Sequence, residues 1–261
     1  MTEFFQFEKN PDSTPAGVAQ LVEHHLAKVD VEGSNPFARS IFSLLKASDL
    51  FDFPEKFPFS KDFPQEVKPW EWVQGIEGAL AAFGGFGGGK PATQIPSGFK
   101  VGRMVYLDPS VRIPTTGCII GPAYIGENCE IRNGAFIREN VIALKNCTLG
   151  NSCEYKNALL LDGVQTPHFN YVGDSVLGNR VHLGAGVILA NLRFDQAEVK
   201  VSTTRGKEGS GLRKLGGLLG DGSEIGCNST LMPGTILEPE AKVGPSIAFS
   251  GRLIKGQYFH G

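Results

Sequence analysis

The chain has 261 residues, enough for one large domain or two small ones. Its 25 basic and 27 acidic residues leave it near neutrality, which excludes a global pull toward nucleic acid or an anionic membrane. No apolar run approaches the ~20 residues of a membrane span, and no basic segment leads into an apolar core as in a secretion signal, so a cytoplasmic protein is expected.

Residues 1–40 carry no core pattern. Gly17-Val18-Ala19-Gln20-Leu21-Val22 can be encoded by GGTGTAGCTCAGTTGGTA, which resembles the D-arm of a transfer RNA. Gly33-Ser34-Asn35-Pro36 can be encoded by GGTTCGAATCCC, like a T-arm, and Leu26-Ala27-Lys28 between them by CTTGCCAAG, like a glycine anticodon loop. Their order and spacing point to translation through a tRNA gene: a spurious or disordered extension, with the true start at a non-ATG codon near Leu44 or Leu45. His24 and His25 receive no role.

Residues 41–96 form a separate region, rich in phenylalanine and holding both tryptophans. Val73, Ile76, Leu80 and Phe83 follow helical spacing, with Pro69 to open and Gly84 to close, so an amphipathic helix is predicted over 69–83. This α-helical lead-in is expected to pack on the first coil of the next domain and shield its edge. Gly84 to Lys90 matches the GxxxxGK of a phosphate loop, but Pro91 stands where Ser or Thr would bind magnesium and a helix precedes it. It reads as a flexible linker.

From Val101 one apolar residue, aliphatic everywhere but at Tyr155, recurs every sixth position: Val101, Leu107, Ile113, Ile119, Ile125, Ile131, Ile137, Ala143, Leu149, Tyr155, Leu161. The frame returns at Leu177, Leu183 and Leu189, and again from Leu219 through Ile225, Leu231 and Leu237 to Val243. Neither a helix nor a single strand has that period. An all-β solenoid does: a left-handed parallel β-helix in which each hexapeptide makes one side of a triangular coil. It is expected over 97–250, with 251–261 as a tail. Glycines after the frame residues, such as Gly126 and Gly150, are expected to let the chain turn corners. The five cysteines read as structural thiols without a CxxC pair, and no metal site is predicted.

Arg138 and Lys156 lie eighteen residues, one coil, apart, so two cations stack at ~5 Å spacing. Like charges so placed repel; either the long side chains splay into water or an anion, phosphate above all, sits between them. His168 sits where the frame breaks, after Leu161, and an irregular corner is expected to hold it as a candidate base. Residues 193–217 are expected to be an extended loop.

The run Gly150-Asn151-Ser152-Cys153-Glu154-Tyr155-Lys156, then His168, Tyr171, Gly173-Asp174, Leu183-Gly184-Ala185-Gly186 and Asn191, resembles the acetyltransferase half of the bacterial bifunctional glucosamine-1-phosphate acetyltransferase and N-acetylglucosamine-1-phosphate uridyltransferase. Ala190-Asn191-Leu192-Arg193-Phe194-Asp195, Val199-Lys200-Val201 and Gly211-Leu212-Arg213-Lys214-Leu215-Gly216 are closer to the C-terminal domain of archaeal sugar-1-phosphate nucleotidylyltransferases that also acetylate. The resemblance covers about residues 97–235. It implies a homotrimeric, metal-independent N-acetyltransferase using acetyl-CoA on an amino-sugar 1-phosphate, glucosamine-1-phosphate first, in UDP-N-acetylglucosamine-type synthesis. His168 would be the general base, Arg138 and Lys156 the phosphate grip, Tyr171 and Asn191 sugar contacts, Lys200 a further basic contact, and Ala185 and Cys227 cofactor contacts. His182 replaces the bacterial asparagine and Cys227 a serine; the pattern fades after Val243, and the uridylyltransferase half is absent. The alternative function is a non-catalytic sugar-phosphate-binding module or scaffold for a separate nucleotidylyltransferase. A zinc carbonic anhydrase of similar fold lacks its HxxxxH pair here.

Overall fold

The computed structural model describes residues 44–54, 56–86 and 94–261. The tRNA-like stretch and most of the glycine-rich linker lie outside them, so neither reading is addressed by the fold. Residues 94–261 wind into the expected left-handed parallel β-helix.

Side one stacks β1 (Phe99–Val101), β3 (Gly117–Ile119), β6 (Ala135–Ile137), β9 (Glu154–Leu160), β11 (Tyr171–Leu177), β13 (Ile188–Leu189), β18 (Thr230–Leu231) and β21 (Ala248–Phe249). Side two stacks β2 (Val105–Leu107), β4 (Ala123–Ile125), β7 (Val141–Ala143), the second halves of β9 and β11, β16 (Leu218–Leu219), β19 (Ile236–Leu237) and β22 (Arg252–Leu253). Side three stacks β5 (Glu130–Ile131), β8 (Thr148–Asn151), β10 (Gln165–His168), β12 (His182–Leu183), β17 (Glu224–Ile225), β20 (Lys242–Val243) and β23 (Tyr258–Phe259). Ile125, Ile131 and Ile137 fall on three different sides, as the six-residue period requires. The frame side chains fill the axis as one core, each buried Leu or Ile contributing about 1.5–3 kcal/mol.

The structure corrects the frame in one place. Leu160, not Leu161, enters the axial core, and Leu161 points outward. Tyr155 to Leu160 is five residues, and so is the step above it, Val172 to Leu177. One residue is missing at each of two stacked corners, where Asn157 (φ 46°) and Asp174 (φ 48°) turn the chain and β9 and β11 run unbroken from side one to side two. The expected irregular corner around His168 is therefore absent. β10 keeps its ladders to β8 and β12, with Thr166 buried and bonded to Thr148 O and Tyr155 Oη.

The glycines after the frame residues do not turn the corners. Gly126 and Gly150 keep negative φ; a Cβ would lie 2.6 Å from Leu144 O and 2.1 Å from Thr166 O in the next coil. Close stacking excludes a side chain there. The turning is left to residues such as Asn128, Asn146 and Asn228 (φ 57°, 57° and 59°), asparagine being tolerant of left-handed backbone. Coils also continue past 250: Leu253 stacks on Leu237 and Phe259 on Val243, so the expected tail is solenoid. Shortening by two residues between Phe249 and Leu253 had hidden the frame.

The lead-in comprises a 3₁₀ turn, Ala47–Asp49, and helix α1, Glu71–Ala82. Val73, Ile76 and Leu80 are buried as predicted, joined by Trp72 and Ala79. Instead of capping the first coil, it covers the flat of side two. Ile142, Leu144, Leu159, Leu161, Val176, Leu218 and Ile236 project outward there and would be an open apolar stripe without Phe51, Phe59, Trp72 and Ile76 over them. Residues 193–217 hold an antiparallel hairpin, β14 (Lys200–Thr203) with β15 (Gly206–Gly209), rather than an extended loop. Val199 and Val201 alternate into the same cluster, which fixes the hairpin's face.

Candidate active site

The site residues span side one, from His168 at the end of side three to the shortened corners at Asn157 and Asp174. Stacking puts Arg138 beside Lys156 as the spacing predicts, Arg138 N donating to Tyr155 O (2.9 Å) and Ile137 registering with Tyr155. One coil on, Lys156 registers with Gly173. A Cβ on Gly173 would lie 2.5 Å from Tyr171 Oη and 2.8 Å from Asn191 Nδ2, so the glycine makes room for that pair. Asn191 Nδ2 donates to Tyr171 Oη (3.2 Å) and Asp174 Oδ2 (2.5 Å). Asp174 Oδ1 accepts from Asn157 Nδ2 (3.0 Å), and Lys156 Nζ stands 3.7 Å from it. With Asp174 7% and Lys156 19% exposed, this is a partly desolvated cluster. Burial raises the Tyr171 phenol pKa, the Asn191 hydrogen bond opposing and the Asp174 charge reinforcing it, so the hydroxyl stays protonated at neutral pH.

The two stacked cations are not left facing each other. Arg138 donates to Glu154 Oε1 (2.9 Å) and Glu139 Oε1 (3.3 Å), and the Glu154 hydrogen bond raises its pKa. Carboxylates of the chain occupy the place the spacing left for an anion. Glu154 and Asp174 join the cations as partners; the seventeen-residue coil also sets Tyr171 over Glu154, where a strict eighteen would set Val172.

His168 ends β10, exposed, in register with Asn151. Its carbonyl accepts from Gly186 N (3.0 Å), and Phe169 (φ 54°) turns the chain away toward Tyr171. Among the described residues the imidazole has no hydrogen-bond partner, so it is free to meet a substrate amine. Asn170, buried, pins this turn through Gly184 O (2.8 Å). Further along side three a groove of about 350 Å³ is lined by His182, Gly184, Cys227, Lys242 and Tyr258. Ala185 borders it, its carbonyl taking Asn228 N (2.8 Å), so Ala185 and Cys227 come together on adjacent coils. Lys200 belongs to the hairpin, and its side chain makes no hydrogen bond or ion pair with the Tyr171–Asn191–Asp174–Lys156 cluster among the described residues. Cys129, Cys147 and Cys153 are buried and donate to carbonyls, and burial lifts the Cys147 thiol well above its ordinary pKa. Cys227 is exposed and Cys118 half-buried, so two of the five are not core thiols. No group of metal-binding side chains occurs among the described residues.

Residues 119–205 match a family model described as the GMPPB C-terminal domain. The chain is 34% identical over 156 residues to the putative uncharacterized acetyltransferase YaiX of Escherichia coli, a match covering 53% of this chain and 68% of that protein. The chain belongs to the hexapeptide-repeat acetyltransferases. A bifunctional sugar-1-phosphate nucleotidylyltransferase/acetyltransferase of Sulfurisphaera tokodaii is 34% identical over 159 residues, 54% of this chain and 40% of the relative. The bifunctional protein GlmU of Methanococcus maripaludis is 38% identical over 110 residues, 42% and 26%. This acetyltransferase-family chain thus matches under half the length of those two relatives. Among solved structures, the acetyltransferase domain of PglB from Neisseria gonorrhoeae in complex with acetyl coenzyme A aligns with TM-score 0.34 and 16% identity, over 88% of this chain and 78% of that one. No helix among the described residues is long and apolar enough to cross a membrane.

Proposed function

We propose that the chain is an acetyl-CoA-dependent N-acetyltransferase for an amino-sugar 1-phosphate, glucosamine-1-phosphate first among them, serving UDP-N-acetylglucosamine-type synthesis. The observation that carries it is the exposed, unpaired imidazole of His168 at the end of side three, three residues before Tyr171, whose hydroxyl belongs to the Asn191–Asp174–Lys156 cluster across side one. The amine nitrogen bonds to the thioester carbonyl carbon, His168 takes the amine proton, and the C–S bond breaks as coenzyme A leaves as thiol. The groove past Ala185 and Cys227 suits the pantetheine arm, being apolar in its glycine and Val243 walls and polar at His182 and Lys242. The acceptor phosphate would displace Glu139 and Glu154 from Arg138, so phosphate affinity is a difference between two anions rather than a bare charge attraction. A homotrimer fits the surfaces: side two is occupied by the chain's own lead-in, which leaves sides one and three, flanking His168, to face a neighbour. The test is thiol release from acetyl-CoA with glucosamine-1-phosphate, galactosamine-1-phosphate or neither. Release that ignores the acceptor, or none with either sugar, defeats the proposal.

A further inference from the structure

We propose that the pocket between the lead-in and side two binds a small zwitterion of amino-acid size, carrying one ammonium and one anionic group. Lys56 enters the pocket from the lead-in, and Asp108, Tyr124, Glu127, Leu144 and Lys145 from the early coils. Its cavity is about 190 Å³, room for about six waters at their ~30 Å³ liquid share; an amino acid fits, a nucleotide does not.

The charges around this cavity are not spent on one another. None of Lys56, Lys145, Asp108 and Glu127 takes part in an ion pair with another described residue. Asp108 accepts only from its neighbour Ser110, through N (3.0 Å) and Oγ (2.6 Å), both on Oδ1. Glu127 accepts one long contact from Asn128 Nδ2 (3.5 Å). Lys145 is held at its backbone, N donating to Asp162 Oδ1 (3.0 Å), while its ammonium donates to no described residue. Elsewhere on this solenoid opposite charges in adjacent coils do pair, as Lys242 with Glu224 and Arg252 with Glu238. Here two cations and two carboxylates ring one cavity unpaired, which suits a guest bearing both signs.

The walls support this. Tyr124 is wedged by stacking on Tyr106 (4.8 Å) and edge contacts with Phe59 (5.2 Å) and Phe83 (5.3 Å). Burial, with the Tyr106 and Asp108 charges, pushes its pKa to about 12, so it offers a hydroxyl donor. The guest's anionic group lies between Lys56 and Lys145, its ammonium between Asp108 and Glu127, and its carbon skeleton on Leu144. Because Lys56 is the lead-in's contribution, such a guest holds lead-in and solenoid together. The shared chemistry could come from a free α-amino acid or from an amino-sugar phosphate.

The test is thermal unfolding of the full chain with a panel of amino acids, with glucosamine-1-phosphate, and with acetate plus methylammonium as a salt control. Glucosamine-1-phosphate is also run on Arg138→Gln, which separates this pocket from the acceptor site. The expected result is a saturable rise in Tm of several degrees with at least one zwitterion. It disappears in Lys56→Gln/Lys145→Gln and in Asp108→Asn/Glu127→Gln, whose own Tm stays near wild type because all four side chains reach solvent. No shift with any zwitterion, a shift surviving both double variants, or an equal shift from the salt control overturns the proposal. Retained or lost acetyl transfer does not bear on it.

Discussion

Asp221, buried at the corner between sides two and three, clasps the lead-in to the solenoid. Its Oδ1 accepts Asn179 N (2.7 Å), and its Oδ2 accepts Asn179 Nδ2 (2.9 Å) and Asp52 N (2.9 Å). Asp221 N donates to Leu50 O (3.0 Å), and Asn179 Nδ2 to Asp52 O (2.7 Å). Asp221→Ala deletes three bonds to a carboxylate, at ~1.5–3 kcal/mol each gross. Part of that is returned, because burial raises the Asp221 pKa against the pull of Asn179 and Asp52 N. A net loss of roughly 2–4 kcal/mol is expected. Both tryptophans lie in the lead-in, where Trp72 stacks on Phe51 (5.1 Å), so tryptophan fluorescence reports release of the lead-in while far-ultraviolet circular dichroism reports the solenoid. In urea the fluorescence transition of the variant should move to lower concentration and precede the dichroism transition. The sign with pH follows: a carboxyl whose folded pKa is raised takes up a proton on folding. Its contribution is therefore complete below the ordinary carboxylate range and is lost as pH rises through the raised value. Wild type should gain stability over Asp221→Asn as pH falls through that window. Coincident, unshifted transitions in Asp221→Ala would refute the clasp.

Replacing His168 with alanine should lower kcat by ~10²–10⁴ while acceptor binding stays nearly intact; calorimetric titration beside steady-state kinetics checks both halves. Gly173→Ala should displace Tyr171 and Asn191, given Cβ approaches of 2.5 and 2.8 Å, and raise KM at least as much as Tyr171→Phe does. Lys156→Met strands the nearly buried Asp174 carboxylate, so stability should fall by about 1–2 kcal/mol in chemical denaturation; a rise would restore the picture of two repelling cations.

Much of this was legible in the sequence. The six-residue period specified three sides, the axial core and the stacking of Arg138 on Lys156, because parallel pairing forces like positions to superpose. Tyr171 and Asn191 meet through a hydrogen bond, while His168 ends side three, on the other edge of side one from Asp174. What period alone could not show was length change at a corner. A single missing residue at Asn157 turns Leu161 outward and brings Tyr171, not Val172, over Glu154. The ion pairs were hidden for another reason: Glu154 meets Arg138 diagonally across coils, two positions off the residue stacked on it, and a stacking period reports only direct neighbours. The lead-in's docking face was hidden too, since outward residues of side two look like ordinary alternate positions until their aliphatic run is seen as a stripe.

The irregular steps share an address. Tyr155 to Leu160, Val172 to Leu177, the hairpin between Leu189 and Leu219, and Phe249 to Leu253 all cross from side one to side two. Across the other two edges, from Ile125 through Ile131 to Ile137 and from Leu177 through Leu183 to Leu189, the step stays at six. Two edges therefore act as rails that keep the coils aligned, and the third is open to editing. Segments can be shortened, lengthened or replaced there without re-registering the core, and that edge borders Lys156, Asp174 and Asn191. A library confined to this one seam would vary what the protein recognises while leaving the register of the axial core unchanged.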